Sequence, residues 1–170
     1  MYQLSVAICT YNGAQRLPQV LTCLRSQVYP ATLKWEVVVV DNNSSDNTAE
    51  VIRAHQLDWP QNIPLKYVSE PKQGLAFARQ KAMQIATGEW VGFLDDDNLP
   101  ALDWIASAYE FSQAHPKSGV FGSKILGHYD GTPPENFGRI SRFLAINESK
   151  RTICYSDPTY DVSVPGSIQA

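Results

Sequence analysis

The chain has 170 residues, of which 44% are hydrophobic and 18% are charged. This length and composition are typical of a globular protein with a hydrophobic core, and they exclude an intrinsically disordered chain. The formal net charge of −3 argues against a nucleic-acid-binding protein, because such proteins normally carry a basic surface.

The cysteines and the N-terminus indicate a cellular compartment. Cys9, Cys23 and Cys154 are widely spaced and form no CxxC pair, which is typical of reduced thiols in a cytosolic protein. The N-terminus lacks the pattern of a signal peptide, and no apolar segment approaches the roughly 20 residues of a membrane span. We therefore expect a cytoplasmic protein, with attachment to the inner membrane face through a partner or a missing part as the open alternative.

Apolar, β-branched runs alternate with helical patterns along the chain. The predicted strands cover residues 4–9, 35–40, 65–68, 90–94 and, more weakly, 120–122. The predicted helices cover residues 17–28, a stretch after residue 48, residues 75–86 with Gly88 as the C-cap, and a stretch from Pro100 to before Pro116. Strands that are apolar on both faces and alternate with helices predict a three-layer α/β/α fold with a doubly wound, mainly parallel sheet.

In such a sheet, ligands bind beyond the carboxyl ends of the strands. That rule selects three polar loops, at residues 10–13, 41–46 and 95–98. From residue 127 the sequence becomes rich in glycine, proline and polar residues. We therefore predict an α/β region with a ligand site at residues 1–126 and a second region with a different pattern at 127–170.

The third loop carries three adjacent carboxylates, Asp95, Asp96 and Asp97. Adjacent carboxylates repel one another, and a divalent cation relieves that cost. Oxygen ligands suit Mg²⁺ or Mn²⁺, which commonly take one or two carboxylates together with substrate phosphates. A solvated acidic turn that caps the following helix explains the same residues, so spacing alone leaves both interpretations open.

Four further residues are candidates for a nucleotide site. Asp41 directly follows a run of valines, where its carboxylate can accept a hydrogen bond from a base or a ribose, or can form an Asx-turn. Thr10 and Tyr11 end the first strand, where the tyrosine either stacks on a base or is a half-buried aromatic. Arg79 either reaches phosphates or covers apolar surface with its stem.

Several nucleotide and metal motifs are absent from the sequence. No GxGxxG follows the first strand, and no GxxxxGK[ST] is present, which excludes a dinucleotide fingerprint and a P-loop. An EF-hand starting at Asp41 would place Asp46 where glycine is required, so that interpretation also fails.

Four segments, taken together and in order, resemble a known family. They lie at residues 5–12, 36–48, 73–79 and 92–100, and they are similar to the N-terminal part of a family 2 glycosyltransferase with the GT-A fold. The resemblance covers about residues 4 to 123. It implies that residues 1–126 are a nucleotide-sugar-binding region and that residues 127–170 are the start of an acceptor-side region that is truncated. It implies an inverting transfer of a sugar from a nucleotide-diphospho-sugar, with UDP-sugar as the default donor, in polysaccharide biosynthesis.

The resemblance also implies roles for individual residues. Asp41 recognises the base, Thr10 and Tyr11 line its pocket together with Asn12, and Arg79 assists the base or the diphosphate. The triplet is similar to the family's DxD motif. The residues implied for the donor are Thr10, Tyr11, Asn12, Asp41, Arg79, Asp95 and Asp96, and those implied for Mn²⁺ or Mg²⁺ are Asp97 and Asp95.

The family's catalytic base has no convincing match. The late acidic residues are Glu148, Asp157 and Asp161, and none stands in the expected context. Two hypotheses remain open: a glycosyltransferase, or a truncated module that binds the donor without transferring it. The expected partners are a nucleotide-sugar and a glycan, lipid-linked or protein acceptor, with no nucleic acid and with self-association as a further expectation.

Overall fold

The computed structural model describes residues 1–129, 131–141, 143–144 and 146. The chain divides into two compact units, Met1–Lys117 and Ser118–Ala170. The functional division predicted between residues 126 and 127 stays a prediction. Within the described residues, no helix is long and apolar enough to cross a membrane.

The first unit is built on a four-stranded parallel sheet. Its strands are β1 (Tyr2–Thr10), β2 (Trp35–Asp41), β3 (Leu65–Ser69) and β4 (Gly88–Asp95). Its helices are α1 (Leu17–Arg25), α2 (Thr48–Leu57), α3 (Leu75–Ile85) and α4 (Trp104–Ala114). The strand order is β3-β2-β1-β4, so the chain winds outward from β1 to β3 and then crosses to the other side of β1.

Alternate residues of the strands enter two different cores. Val37 and Val39 of β2 pack in one core with residues of α1, α2 and α4, such as Leu21. Val38 and Val40 pack in the other core, against residues of α3 such as Ala78. The period of two along β2 therefore places helices on both faces of the sheet, which confirms the predicted three-layer α/β/α fold.

The predicted ends of two helices are wrong for the same physical reason. The first helix ends at residue 25 rather than 28, and the fourth begins at residue 104 rather than 100. Gln27 donates to the carbonyl oxygen of Ala101 at 2.6 Å and accepts the N–H of Ile105 at 3.0 Å. The N–H of Val28 donates to the carbonyl oxygen of Leu102 at 2.7 Å. These bonds between the two segments replace the hydrogen bonds that longer helices would make.

Two further predictions about elements are wrong. Gly88 is not a C-cap but the first residue of β4, where its N–H donates to Oγ of Ser5 at 2.8 Å. Residues 120–122 form no strand, and 60% of Val120 is exposed. With Val120 exposed and glycines at residues 119 and 122, this run has little to hold it in a sheet.

In the second unit, the described residues include a short helix, α5 (Gly138–Ser141). The rings of Tyr129 and Phe137 meet edge to face, with their centroids 5.2 Å apart.

Candidate functional site

The carboxyl ends of β1, β2 and β4 bring the three predicted loops to one edge of the sheet. In the strand register, Thr10 pairs with Asp41, and Cys9 pairs with Asp95. β1 is the point where the winding changes direction, which is where doubly wound sheets bind ligands. Candidates more than 80 residues apart in sequence are therefore neighbours in space.

Hydrogen bonds tie the first loop to the second. The N–H of Asn12 donates to Oγ of Ser44 at 2.9 Å, and its Oδ1 accepts the N–H of Ser45 at 2.9 Å. The N–H of Gly13 donates to Oγ1 of Thr48 at 2.9 Å. Asn12, with a φ of 49°, also adopts the left-handed conformation that asparagine tolerates better than most residues. These three hydrogen bonds together hold the first loop against the second.

Asp41 is buried, and both of its carboxylate oxygens accept hydrogen bonds. Oδ1 accepts the N–H of Ser44 at 3.0 Å, and Oδ2 accepts the O–H of Tyr67 at 3.0 Å. Burial and the neighbouring carboxylate raise the pKa of Tyr67, so the phenol stays protonated and remains a donor. Each carboxylate oxygen has a second acceptor direction, which leaves Asp41 able to accept a hydrogen bond from a ligand.

Asn42 is a site residue that the sequence analysis missed. Its Nδ2 donates to the carbonyl oxygens of Glu70 and Lys72 at 3.2 and 2.7 Å, and its Oδ1 accepts the N–H of Gly74 at 2.7 Å. The side chain therefore shapes the segment that leads into α3. An asparagine after a strand is so common in turns that its sequence pattern did not distinguish it.

The three carboxylates of the triplet have different environments. Asp95 lies 4.0 Å from the guanidinium of Arg79, which also lies 5.5 Å from the ring centroid of Phe93. Burial raises the pKa of Asp95, and Asp97 and Asp96 raise it further against the opposing effect of Arg79. Asp97 is exposed and makes no hydrogen bond or ion pair with the described part of the chain.

Asp96 is paired with Arg16, the second residue that the sequence analysis missed. The guanidinium of Arg16 donates to both oxygens of Asp96, at 2.9 and 2.8 Å. The hydroxyl of Thr10 donates to Oδ2 of the same carboxylate at 2.5 Å. A lone arginine before a helix carries no pattern that points to a partner 80 residues later, so no local signal identified it.

A pocket of about 200 Å³ lies among these loops. Its walls contain three of the predicted donor residues, Thr10, Tyr11 and Asp96, together with both missed residues, Arg16 and Asn42. The remaining lining residues are Cys9, Leu75 and Ala78. The volume is below the range of about 300–1,000 Å³ that encloses a whole small molecule, so the pocket accommodates part of one.

The triplet fits a cation that is brought by a phosphate ligand better than one held by protein alone. The described residues contain no group of three or more histidine, cysteine or acidic side chains that could hold a metal ion. Mg²⁺ and Mn²⁺, however, are commonly bound by one or two carboxylates with substrate phosphates. The exposed Asp97 and the half-buried Asp95 provide such carboxylates. A cation would offset the burial and the repulsion by Asp97 and Asp96 that together raise the pKa of Asp95.

Comparison with known proteins decides the family. The model of the family described as Glycosyl transferase family 2 matches residues 5–164. The chain belongs to this family. The strand-end loops described above are therefore those of a member of this family, and the predicted family is confirmed.

The family members that the chain resembles are longer proteins. It is 29% identical over 150 residues to TuaG of Bacillus subtilis, a protein named for teichuronic acid biosynthesis; the match covers 88% of this chain and 58% of TuaG. It is 30% identical over 151 residues to the poly(ribitol-phosphate) beta-N-acetylglucosaminyltransferase TarS of Staphylococcus aureus, covering 88% of this chain and 26% of TarS. The chain thus spans less than two thirds of these relatives.

Solved structures of the family share the fold. The crystal structure of S. aureus TarS 1-349 in complex with UDP superposes with a TM-score of 0.66 at 30% identity, covering 80% of this chain and 39% of that chain. The mannosyltransferase PcManGT from Pyrobaculum calidifontis, in complex with GDP-Man and Mn²⁺, gives a TM-score of 0.58 at 35% identity, covering 63% and 31%. These likenesses confirm the predicted GT-A fold.

The late acidic residues, none of which stands in the context expected of the catalytic base, fall outside the described residues. They are Glu148, Asp157 and Asp161, and Cys154 also lies there. Of the described cysteines, Cys9 and Cys23 form no disulfide bond, and the expectation of a reducing compartment stays a prediction. Burial raises the pKa of the Cys9 thiol to about 11, so this wall of the pocket stays uncharged at neutral pH.

Proposed function

We propose that this family 2 glycosyltransferase transfers a sugar from a nucleotide-diphospho-sugar, with UDP as the nucleotide, to an acceptor hydroxyl with inversion. The observation that carries the proposal is the meeting of Asp41 and the acidic triplet at the point where the sheet changes its winding direction. The UDP and UDP-GlcNAc complexes of TarS support the choice of donor.

Different residues of the site bind different parts of the donor. Asp41, held by Ser44 and Tyr67, accepts a hydrogen bond from the base, and the exposed ring of Tyr11 stacks on it. Asp95 lies near the ribose and the cation. Arg79, 4.0 Å from Asp95, assists in binding the base or the diphosphate.

The proposed cofactor is Mn²⁺ or Mg²⁺, with Asp97 and Asp95 as its protein ligands. When bound, the cation would neutralise the charge that develops on the leaving nucleoside diphosphate. The Mn²⁺ in the PcManGT complex supports this proposal. Asp97 is suited to the role because its carboxylate is exposed and has no hydrogen-bond or ion-pair partner among the described residues.

The proposed acceptor is a hydroxyl of a growing polysaccharide or of a lipid-linked or protein-linked glycan. The names of the relatives, which include a succinoglycan biosynthesis protein from Rhizobium meliloti, support a polysaccharide. Such a reaction fits a cytoplasmic enzyme at the inner membrane face. A carboxylate base would deprotonate the acceptor, and no residue of this chain is assigned to that role, because Glu148, Asp157 and Asp161 do not stand in the expected context.

Turnover separates the proposed enzyme from a module that only binds the donor. The chain is incubated with Mn²⁺ and a panel of UDP-, GDP- and dTDP-sugars, with and without glycan acceptors, and the released nucleoside diphosphate is measured. We expect UDP release from a UDP-sugar, with inverted configuration in the product. Binding of the donor without release or transfer would support the binding module, and absence of binding would contradict both.

A further inference from the structure

The carboxylate of Asp96 receives three hydrogen bonds from the β1 side of the site. Nε of Arg16 donates to Oδ1 at 2.9 Å, and Nη2 donates to Oδ2 at 2.8 Å. The hydroxyl of Thr10 donates to Oδ2 at 2.5 Å. Arg16 and Thr10 therefore hold the carboxylate from two sides. Only 12% of the Asp96 side chain is exposed, so the carboxylate is also largely shielded from water.

The same guanidinium also holds the loop that carries Tyr11. Nη2 of Arg16 donates to the carbonyl oxygen of Tyr11 at 3.2 Å, so one planar group connects Tyr11 with Asp96. The backbone packs closely around this connection. A Cβ atom at Gly13 would lie 2.0 Å from Oγ1 of Thr10 and 2.8 Å from Oδ2 of Asp96, so only glycine fits there.

These contacts leave Asp96 poorly suited to bind a cation or a ribose directly. To turn toward such a ligand, the carboxylate would have to give up a bidentate arginine pair and the hydroxyl of Thr10. Its charge is already balanced by Arg16, whose pKa is raised chiefly by the hydrogen bond to Asp96. Asp97 has no hydrogen bond within the described residues and would lose none on binding a cation.

We propose that Arg16 is a positioning residue and that Asp96 is its anchor. Together they fix the Tyr11 loop against the acidic triplet, and Asp96 is a ligand of neither the donor nor the cation. This inference rests on the proposed function, because the loop is fixed for a nucleotide. It reassigns Asp96, which the sequence resemblance placed among the donor-binding residues.

The inference predicts that Arg16 and Asp96 act as one unit in nucleotide binding. UDP affinity is measured calorimetrically with Mn²⁺ for Arg16→Ala, Asp96→Asn and the double variant. Each single change is expected to weaken UDP binding about tenfold, and the double variant is expected to be no weaker than either. Arg16→Lys should restore only part of the affinity, because an ammonium group cannot form two parallel hydrogen bonds to a carboxylate.

Metal affinity distinguishes an anchor from a ligand. Mn²⁺ binding to the UDP complex is measured by electron paramagnetic resonance for Asp96→Asn and for Asp97→Asn. If Asp96 is an anchor, we expect the Mn²⁺ affinity to change by less than about threefold in Asp96→Asn. Loss of a metal ligand in Asp97→Asn should lower the Mn²⁺ affinity about tenfold or more. Gly13→Ala perturbs the anchor without removing a charge, and it should weaken UDP binding as Asp96→Asn does.

Each contrary result has a separate meaning. Additive losses of UDP affinity in the double variant would show that Arg16 contacts the donor on its own. Equal losses of Mn²⁺ affinity in Asp96→Asn and Asp97→Asn would make Asp96 a metal ligand. Either result overturns this inference and leaves the proposed function standing. A wild-type chain without affinity for any nucleoside diphosphate overturns the proposed function as well. Thermal unfolding checks that each variant folds, and Arg16→Lys replaces Arg16→Ala if the latter does not.

Discussion

The phenol of Tyr67 on β3 donates a hydrogen bond to Oδ2 of Asp41 at the end of β2, with an oxygen–oxygen distance of 3.0 Å. The two residues lie on neighbouring parallel strands, where Tyr67 pairs with Val39, two residues before Asp41. Arg53 lies 5.5 Å from the centroid of the Tyr67 ring. Tyr67 therefore fixes one oxygen of the carboxylate that is proposed to recognise the base.

Tyr67→Phe should weaken UDP binding about tenfold, because the carboxylate of Asp41 loses the donor that orients it. Calorimetric titration measures the change. Tyr29→Phe is a matched control, since the hydroxyl of Tyr29 is hydrogen-bonded to the exposed Asn62. Equal affinities of wild type and Tyr67→Phe would show that Tyr67 does not orient Asp41 for binding.

Gly74→Ala should destabilise the fold by about 1–3 kcal/mol. The φ of Gly74 is 136°, which a residue with a Cβ atom rarely adopts, and a Cβ there would lie 3.2 Å from the ring of Phe77. Urea unfolding measures the loss. Gly119→Ala is the control, because no atom lies within 4 Å of its added Cβ. Destabilisation of the control by as much as Gly74→Ala would contradict a cause in the backbone at residue 74.

Glu36 lies at the end of the sheet opposite the candidate site, and we expect it to make the stability of the fold depend on pH. The carboxyl group is fully buried, and its Oε1 accepts hydrogen bonds from Ser5 at 2.8 Å and from Thr87 at 2.9 and 2.8 Å, while Lys66 lies 2.5 Å from Oε2. Burial alone would raise the pKa of Glu36, but Lys66 and the other donors outweigh burial and lower it.

Because the folded state lowers this pKa, the carboxylate stabilises the fold above its ordinary pKa of 4.5, and the contribution is lost as the pH falls through the folded value. Urea unfolding from pH 7 downward should show a free energy of unfolding that falls more steeply in wild type than in Glu36→Gln. The exposed Glu89→Gln should retain the wild-type slope. Identical slopes for wild type and Glu36→Gln would contradict the lowered pKa.

Sequence reasoning succeeded where a local pattern and a rule of topology act together. Asp41 and Asp95 are the last residues of two strands, and parallel strands end at one edge of the sheet, so their proximity could be predicted without coordinates. The alternation of Val37 and Val38 between the two cores follows from the period of a strand.

Contacts that depend on distant residues could not be predicted. Arg16 and Asp96 are 80 residues apart, and nothing next to either indicates the other. The hydrogen bonds of Gln27 to a segment more than 70 residues away accompany an earlier end of α1 and a later start of α4 than the sequence predicts. Val120 shows the opposite error, since an apolar run predicts a strand only where other elements bury it.

Metal-dependent nucleotide binding at the acidic triplet is the central claim, and Asp97 tests it most directly. UDP is titrated calorimetrically into wild type, Asp97→Asn and the control Asp103→Asn, each with and without Mn²⁺. We expect Mn²⁺ to strengthen UDP binding about tenfold or more in wild type and in the control. We expect that gain to disappear in Asp97→Asn. An Asp97→Asn variant that keeps the full gain from Mn²⁺ would contradict the account.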